Sequence, residues 1–536
     1  MKFFNKIASF MLAITLLITA FAGAPTITAE AAKSAKAATA AGVVVGGALI
    51  DGANVTVATS GQSSSEDGLY HLIASDPNQA GNTGVDVAQQ PVSAAATFVF
   101  PLNKNSADSV LFKKFTVCVM KGGVLTVASN SSYITNPEAC ATRTAARMDN
   151  GKKGILTDAS TDNLGMRTLA DLGVKQATVS LPLSKISDGQ GVPYVYNGKT
   201  YNFNTRYIAS FDNYLGRLNS QGVQVSMILL VDQAAGQNFI SPYALDGLGA
   251  HTYYGLNATT TEGIELLAAC GSFVASRWSS YSYFGMNAKV DNFIIGNEVN
   301  AWYEWNYMNC GGNLPLYAQE YANAFRVLYN AIKSENANAN VYVCTDQHWA
   351  LNEKKVHGSK QFLTQFNNAI RSQGNIDWRL AFHAYDYPMT NTIAWAPTKN
   401  IQRSQDSRFV SVYNIDVVTD FLSQPDFLSP SGAVRTVKLA EQGYSSSTQG
   451  EEIQAAAITY AYLVAENNSH IDGLILSREK DDPHIEVPQG LAFGVMRSNN
   501  THKSSYDFYK NAGNPEWTAK ASGFAGVDLT TLLAPR

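Results

Sequence analysis

Residues 292–300 read NFIIGNEVN, an apolar run that ends in a carboxylic acid. Residues 436–444 read TVKLAEQGY and end in the same way. Continuous apolar runs of this length are typical of parallel strands buried on both faces, because such strands lose the alternation between core and solvent. Both runs therefore predict parallel strands with an acid, Glu298 or Glu441, near the carboxyl end.

Eight such runs alternate with amphipathic helical segments beyond residue 151. They are 154–157, 176–183, 223–231, 292–300, 341–348, 379–387, 436–444 and 471–478. One helical segment has an apolar face from Ile264 to Trp278, and Thr259 with Glu262 predicts a capping box at its start. Eight strand–helix repeats predict an α/β fold, a closed (β/α)8 TIM barrel. An open doubly wound sheet is the alternative, but no glycine-rich phosphate loop follows an early strand.

The chain ahead of the barrel has a different composition. Residues 43–140 contain short β-rich runs separated by turn residues, which predict a small β-sandwich accessory domain. A shelf that stabilises the barrel is favoured over a sugar-binding module, because no cluster of aromatic residues stands out. We place the barrel domain at 151–515 and a C-terminal tail at 516–536.

The first residues predict export. Two lysines precede an apolar run at 7–21, and residues 29–31, AEA, have the small-x-small form of a signal peptidase site. We therefore expect a signal peptide at 1–31, an alanine-rich linker at 32–42, and a secreted protein. No later segment is apolar over the roughly 20 residues that a membrane-spanning helix needs.

Composition and motifs exclude several classes of function. The net charge of −4 gives no basic face for nucleic acid. The histidines lack HExxH spacing, so we expect no catalytic metal, and no other cofactor is expected either. No G-x-S-x-G turn follows a strand, so a serine nucleophile is not expected. The five cysteines form no CxxC pair; Cys118 and Cys140 are either one disulfide or two buried thiols. The oligomeric state is not predicted.

The positions of the two acids suit one particular chemistry. Strands four and seven lie on opposite sides of an eight-stranded barrel, so acids at their ends can face each other across its mouth. Glycoside hydrolysis with retention needs two carboxyl groups about 5 to 5.5 Å apart, one protonated and one ionised. We predict Glu298 as the general acid/base and Glu441 as the nucleophile.

The motifs also carry a family resemblance. Asn297-Glu298 after strand four, with Glu441 in strand seven, resembles the clan of retaining (β/α)8-barrel glycoside hydrolases that includes cellulases, β-mannanases and β-xylosidases. The resemblance implies that Asn297 binds the 2-hydroxyl of a carbohydrate substrate. It also implies that His383 and Tyr385, a His-x-Tyr pair in strand six, orient the nucleophile and line the sugar subsite. A group of secreted bacterial barrel domains of unassigned activity is similar as well.

One position departs from the clan. Strand eight commonly ends there in a tryptophan beneath the sugar, whereas this sequence has Arg478. A cation at that level would favour an acidic or sulfated sugar. The alternative is that Arg478 pairs with one of the acids that follow it, namely Glu479, Asp481 or Asp482.

Aromatic residues after strands four and five are further candidates for sugar binding. Trp302, Trp305, His348 and Trp349 would line the cleft, either stacking on a sugar or packing in the core. A non-catalytic carbohydrate-binding or cell-surface barrel is the alternative to an enzyme, since fold alone does not imply activity. An inverting hydrolase is a third possibility, and neither the sugar nor the mode of cleavage is predicted.

Overall fold

A computed structural model describes residues 42–157, 163–186, 191–234, 236, 238–279 and 281–534. The predicted signal peptide lies outside these residues, as does all of the predicted linker except Gly42. In the described part of the chain, no helix has both the length and the apolar character needed to cross a bilayer.

Seven strands form the N-terminal region. They are β1 (Val44–Asp51), β2 (Asn54–Ser60), β3 (Leu69–Ser75), β4 (Val85–Pro91), β5 (Thr97–Pro101), β6 (Lys114–Lys121) and β7 (Val124–Tyr133). They make two antiparallel sheets, in the orders β1-β2-β5 and β4-β3-β6-β7. The inward residues of β2 and β5 alternate with exposed ones, as they do in a sheet with one solvated face. The predicted β-rich domain ahead of the barrel is confirmed.

Two of these strands were not predicted from the sequence. Strand β1 contains a register shift between Val45 and Gly47, and β4 is largely polar, so neither has a clear apolar pattern.

Cys118 and Cys140 are both free thiols, which rules out the disulfide. Burial raises the pKa of Cys118 to about 12, so this thiol stays protonated and behaves as a small apolar side chain.

The rest of the chain forms the barrel and its excursions. Its strands are β8 (Lys153–Leu156), β9 (Gln176–Pro182), β10 (Gly191–Tyr196), β11 (Lys199–Asn204), β12 (Gln224–Leu230), β13 (Tyr281–Tyr283), β14 (Met286–Ala288), β15 (Asn292–Ile295), β16 (Asn340–Thr345), β17 (Trp378–His383), β18 (Val437–Gln442) and β19 (Ile471–Leu476). Eight of them close into a parallel barrel in the order β8-β9-β12-β15-β16-β17-β18-β19. The remaining four form the hairpins β10–β11 and β13–β14. The predicted TIM barrel is confirmed, with all eight strands where the apolar runs lie.

The helices are α1 (Asn163–Leu172), α2 (Thr205–Ser220), α3 (Thr261–Arg277), α4 (Trp302–Trp305), α5 (Leu314–Glu335), α6 (Ser359–Arg371), α7 (Asp416–Leu422), α8 (Ser446–Gln449), α9 (Glu451–Asn467), α10 (Ser504–Lys510) and α11 (Pro515–Ala525). The predicted capping box at Thr259 is wrong. Thr260 is the cap of α3 and accepts a hydrogen bond from Gly263 N at 3.1 Å. The Thr259 hydroxyl instead donates to Glu320 Oε2. Asn257 Oδ1 accepts hydrogen bonds from the backbone N–H groups of Thr259 and Thr260, and the helix cap lies one residue later than predicted.

The N-terminal sheets are attached to the barrel chiefly through α5. The Arg326 guanidinium lies 4.8 Å from the centre of the buried Tyr133 ring, and Asn330 Nδ2 donates to Leu111 O at 3.1 Å. Lys104 Nζ donates to Ser334 O at 2.6 Å. Buried polar contacts of this kind fix one body on another, as a stabilising shelf would require.

The interior of the barrel contains an apolar layer. This interior cluster consists of strand residues and one residue, Tyr253, from the segment between β12 and α3; its members are Ile228, Leu230, Tyr253, Ile294, Tyr342, Cys344, Ala381 and Ala440. One layer nearer the amino ends of the strands, Lys438 Nζ lies 3.0 Å from Asp472 Oδ1 and 2.6 Å from Gln176 Oε1. The centre of the barrel is therefore filled by side chains, and the space for a ligand lies at the carboxyl ends of the strands.

One stabilising interaction in the N-terminal sheets should depend on pH. His71 Nδ1 lies 2.7 Å from Asp86 Oδ2, and its Nε2 lies 2.8 Å from Asp67 Oδ2. Burial by itself lowers the pKa of His71, but the hydrogen bonds and charges of the two carboxylates outweigh it and raise that pKa. The resulting stabilisation is full below the unfolded pKa of about 6.5 and is lost as pH rises through the folded pKa.

We expect His71→Gln to lower the melting temperature more at pH 5.5 than at pH 8.5, because only the charged ring gains from both carboxylates. Thermal unfolding of both proteins across this range measures the difference. His484→Gln, which removes an exposed imidazole, is the matched control. A difference that does not change with pH would contradict the assignment.

Candidate active site

Glu298 lies just beyond the end of strand four, in an unusual backbone conformation. Strand β15 ends at Ile295, five residues earlier than the predicted run, and Gly296 and Glu298 adopt φ values of +77° and +40°. A non-glycine residue with positive φ costs of order 1 to 3 kcal/mol and is frequent at functional sites. The turn places Glu298 over the barrel mouth, where this residue is only 8% exposed to solvent.

Glu298 shares a buried polar cluster with His383 and Cys344. His383 Nδ1 lies 2.8 Å from Glu298 Oε1, and His383 Nε2 lies 3.3 Å from Cys344 Sγ. Burial raises the pKa of Glu298; the bond and charge of His383 oppose this, while the charges of Asp346 and Glu441 add to it. Burial lowers the pKa of His383, but Cys344, Glu441 and the hydrogen bond with Glu298 raise it well above its ordinary value.

Glu441 is held by the other member of the His-x-Tyr pair. The Tyr385 hydroxyl donates to Glu441 Oε1 at 2.7 Å, and the Tyr385 ring packs 5.6 Å from that of Phe493. Burial raises the pKa of Tyr385 well above its ordinary value, so the hydroxyl remains a donor. The half-buried Glu441 carboxylate is thus oriented by a rigid neutral group.

A β-bulge directs Glu441 into the mouth. Lys438 and Ala440 both point into the barrel. Strict alternation from Ala440 would send Glu441 outward. The register of β18 slips against both neighbouring strands at this point, and Glu441 pairs opposite His383. Bulges re-aim side chains next to active sites in this way.

The two acids therefore belong to one site. Glu441 pairs opposite His383 across the two strands, and the ring of His383 lies 2.8 Å from Glu298 Oε1. Asn297 is half-buried beside Glu298. The structure brings together Glu298, Glu441, His383 and Tyr385, the four residues on which the sequence motifs converge.

Arg478 lies at the end of strand eight, but its ionic partner was not among the predicted acids. Arg478 Nη2 lies 2.6 Å from Glu486 Oε1, eight residues further along the chain. Asp481 instead pairs with Lys503 at 2.8 Å. Burial raises the pKa of Glu486 to about 7; Arg478 opposes this shift, and the charges of Glu441 and Asp482 add to it. The peptide bonds Ser477–Arg478 and Tyr387–Pro388 are cis.

His348 borders the site through an acid that the sequence analysis missed. His348 Nδ1 lies 2.6 Å from Asp346 Oδ2, and Asn300 Nδ2 donates to Asp346 Oδ1 at 2.6 Å. Burial lowers the pKa of His348, but Asp346, with a smaller contribution from Glu298, raises it overall. Asp346 immediately follows β16, so a search for acids at strand ends would have found it.

The tryptophans separate into packing and mouth-facing residues. Trp349 is fully buried with its ring perpendicular to Phe421, and Trp302 is buried against Gly311. Packing, not stacking on a ligand, is therefore their role. Trp305 is half-buried, packs on the interior cluster, and has its ring 5.9 Å from that of Tyr253. Within the residues that the structure describes, no group of three or more His, Cys, Asp or Glu could hold a metal ion.

One family model and several solved structures are similar to this chain. A model described as a family of unknown function, DUF5722, matches residues 145–529, and no curated protein matches. A family 39 glycoside hydrolase from Bacteroides cellulosilyticus WH2 is 13% identical, with a TM-score of 0.48, over 85% of this chain and 79% of that one. A GH5_18 protein from Streptomyces cattleya in complex with GlcNAc is 12% identical, with a TM-score of 0.44, over 70% and 81%.

A third solved structure, a β-D-glucuronidase from Dictyoglomus thermophilum, is 12% identical, with a TM-score of 0.36, over 89% of this chain and 68% of that one. At these identities and TM-scores, the likenesses do not by themselves assign an activity to this chain.

The contact between His383 and Glu298 can be tested directly. We expect His383→Gln to raise the pKa of Glu298 further, because the imidazole bond and charge oppose the effect of burial. Carboxyl titration by NMR of protein with ¹³C-labelled glutamate measures this pKa, and Glu298→Gln identifies the resonance. His348→Gln, which leaves the direct bond intact, should have a smaller effect. An unchanged or lowered pKa in His383→Gln would refute the arrangement.

Proposed function

This chain belongs to DUF5722, a family of unknown function, and we propose that it is a retaining glycoside hydrolase that cleaves β-glycosidic bonds. The observation that carries the proposal is the pair of acids in contrasting environments. Glu298 is buried with a raised pKa, as a proton donor should be, whereas the half-buried Glu441 accepts a hydrogen bond from Tyr385. Two carboxyl groups with separate roles are what this reaction needs.

In the first step, a Glu441 oxygen attacks the anomeric carbon while Glu298 donates its proton to the leaving oxygen. The glycosidic bond breaks, the alcohol leaves, and the sugar remains bound to Glu441 as an ester. In the second step, Glu298 removes a proton from water, whose oxygen attacks the anomeric carbon and releases Glu441. His383 Nδ1 lies 2.8 Å from Glu298 Oε1 and keeps that carboxyl group in place through both steps.

Retention, as opposed to inversion, is favoured by how closely the two acids are connected. The bulge in β18 pairs Glu441 directly opposite His383, whose ring touches Glu298 at 2.8 Å. Inverting enzymes hold their carboxyl groups about 6.5 to 9.5 Å apart, to leave room for a water molecule between acid and base. A single residue linking the two acids supports the shorter separation.

The substrate is proposed to be an extracellular β-linked polysaccharide or oligosaccharide. The first 31 residues have the features of a secretory signal peptide, which would deliver the enzyme to such a substrate. Trp305 supports a sugar ligand, because it offers an apolar ring on the same loop as Glu298. The C–H faces of sugars pack on aromatic rings of this kind.

Removing either acid tests the catalytic roles. We expect Glu441→Gln and Glu298→Gln each to lower kcat on a responsive substrate by about 10³-fold, because each group acts only in the transition state. A panel of aryl β-glycosides and β-linked glycans, assayed with ¹H NMR of the first-formed product anomer, measures both rate and stereochemistry. Glu452→Gln, an exposed acid on α9, is the matched control.

Three outcomes would count against this assignment. Full activity in either variant would remove the acid from the mechanism, and an α-anomer as first product would make the enzyme inverting. Tight binding of a glycan without turnover by the wild type would favour the alternative of a carbohydrate-binding barrel.

Trp305 provides a second test of the sugar site. We expect Trp305→Ala to lower kcat/KM about 3- to 10-fold, which corresponds to the loss of one aromatic contact of about 0.5 to 1.5 kcal/mol. Steady-state kinetics on the responsive substrate measures the change, and Trp305→Phe should restore most of it. An unchanged kcat/KM in Trp305→Ala would place the ring outside the subsite.

A further inference from the structure

Arg478 and Glu486 form an ion pair beside the proposed nucleophile. Ser477 N donates to Gln442 O at 2.9 Å, which fixes the chain before Arg478 to the residue after Glu441. The side chains of Arg478 and Glu486 are 16% and 15% exposed, so both are largely buried.

Acidic groups outnumber basic ones around this pair. Glu486 lies 2.6 Å from the guanidinium of Arg478, and the charges of Glu441 and Asp482 both raise the pKa of Glu486. The other nearby cation, Lys503, is already bound to Asp481 at 2.8 Å and to Ala492 O at 3.0 Å. The positive charge of Arg478 is therefore compensated before any substrate arrives.

We propose that the sugar at the cleavage point is neutral, and that Arg478 and Glu486 together hold its hydroxyl groups. The proposal rests on the glycoside hydrolase function proposed above. A hydroxyl group both donates and accepts, so it matches a guanidinium donor beside a carboxylate acceptor. A uronate or sulfate in the same position would face the charges of Glu441 and Glu486.

The behaviour of Glu486 supports this selectivity. Its surroundings raise its pKa to about 7 although Arg478 is in contact with it. Burial and nearby acids that disfavour the charge of one carboxylate also disfavour the charge of a second one brought in by the substrate. The sequence left open an acidic sugar at Arg478 or a pairing of Arg478 with an acid that follows it; the contact with Glu486 favours a pairing.

The test compares substrates that differ only in charge. Aryl β-glucoside is paired with aryl β-glucuronide, and aryl β-galactoside with aryl β-galacturonide, all at pH 8. We expect the wild type to prefer the neutral member of the responsive pair by about tenfold or more in kcat/KM. Glu486→Gln should shift the ratio toward the uronide by a similar factor, because it leaves the charge of Arg478 less compensated.

Two further variants keep the result interpretable. Arg478→Gln should shift the ratio the opposite way, since it removes the only positive charge of the pair. Glu452→Gln changes the net charge equally but lies on the exposed face of α9, so it should leave the ratio unchanged. Thermal unfolding confirms that each variant is folded before its kinetics are compared.

The outcomes separate this inference from the function on which it rests. A wild type that prefers the uronide, or a Glu486→Gln ratio that does not move, would overturn the neutral-sugar inference. If that uronide turnover depended on Glu441, the glycoside hydrolase function would stand. A wild type that hydrolyses neither member of any pair, nor any β-linked glycan, would remove both proposals together.

Discussion

The β-bulge in β18 is the constraint on which the proposed site depends. Ala440 faces the barrel interior, so a regular strand would turn Glu441 toward the surrounding helices. The local slip in register points Glu441 into the mouth and sets it opposite His383, which contacts Glu298. One irregular residue in an otherwise regular sheet thus brings the two acids into a common space.

The layers beneath the mouth set the electrostatics of the acids above them. At the amino ends of the strands, buried Lys438 lowers the pKa of Asp472 to about 2 against the opposing effect of burial, so a paired charge is stable there. The apolar interior cluster lies between that layer and the mouth. Glu298 lies above this cluster in contact with His383, and burial raises its pKa against the opposing effect of that imidazole. The same low-dielectric interior therefore favours an ion pair at one end and a protonated acid at the other.

The loops complete the site through contacts between residues distant in sequence. Asn300 reaches Asp346, which holds His348, and Arg478 meets Glu486 across an eight-residue excursion. The contact between Arg478 and Glu486 changes the charge expected at the end of strand eight, because Glu486 compensates the positive charge of Arg478. The sequence shows which residues can carry a charge, but burial and ion-pair partners decide how strongly that charge acts on a ligand.

The sequence by itself determined the eight barrel strands, the β-rich domain ahead of them, and the placing of Glu298, Glu441, His383 and Tyr385 near strand ends. Those features follow from local periodicity, because the side chains that a strand buries must recur along it. Only the tertiary structure decided the cap at Thr260, the bulge at Glu441, the partner of Arg478 and the burial of Trp349. A shift of one residue in a helix cap or a strand register leaves the hydrophobic pattern of the sequence unchanged, and so does a contact between two loops. The pattern therefore cannot predict either feature.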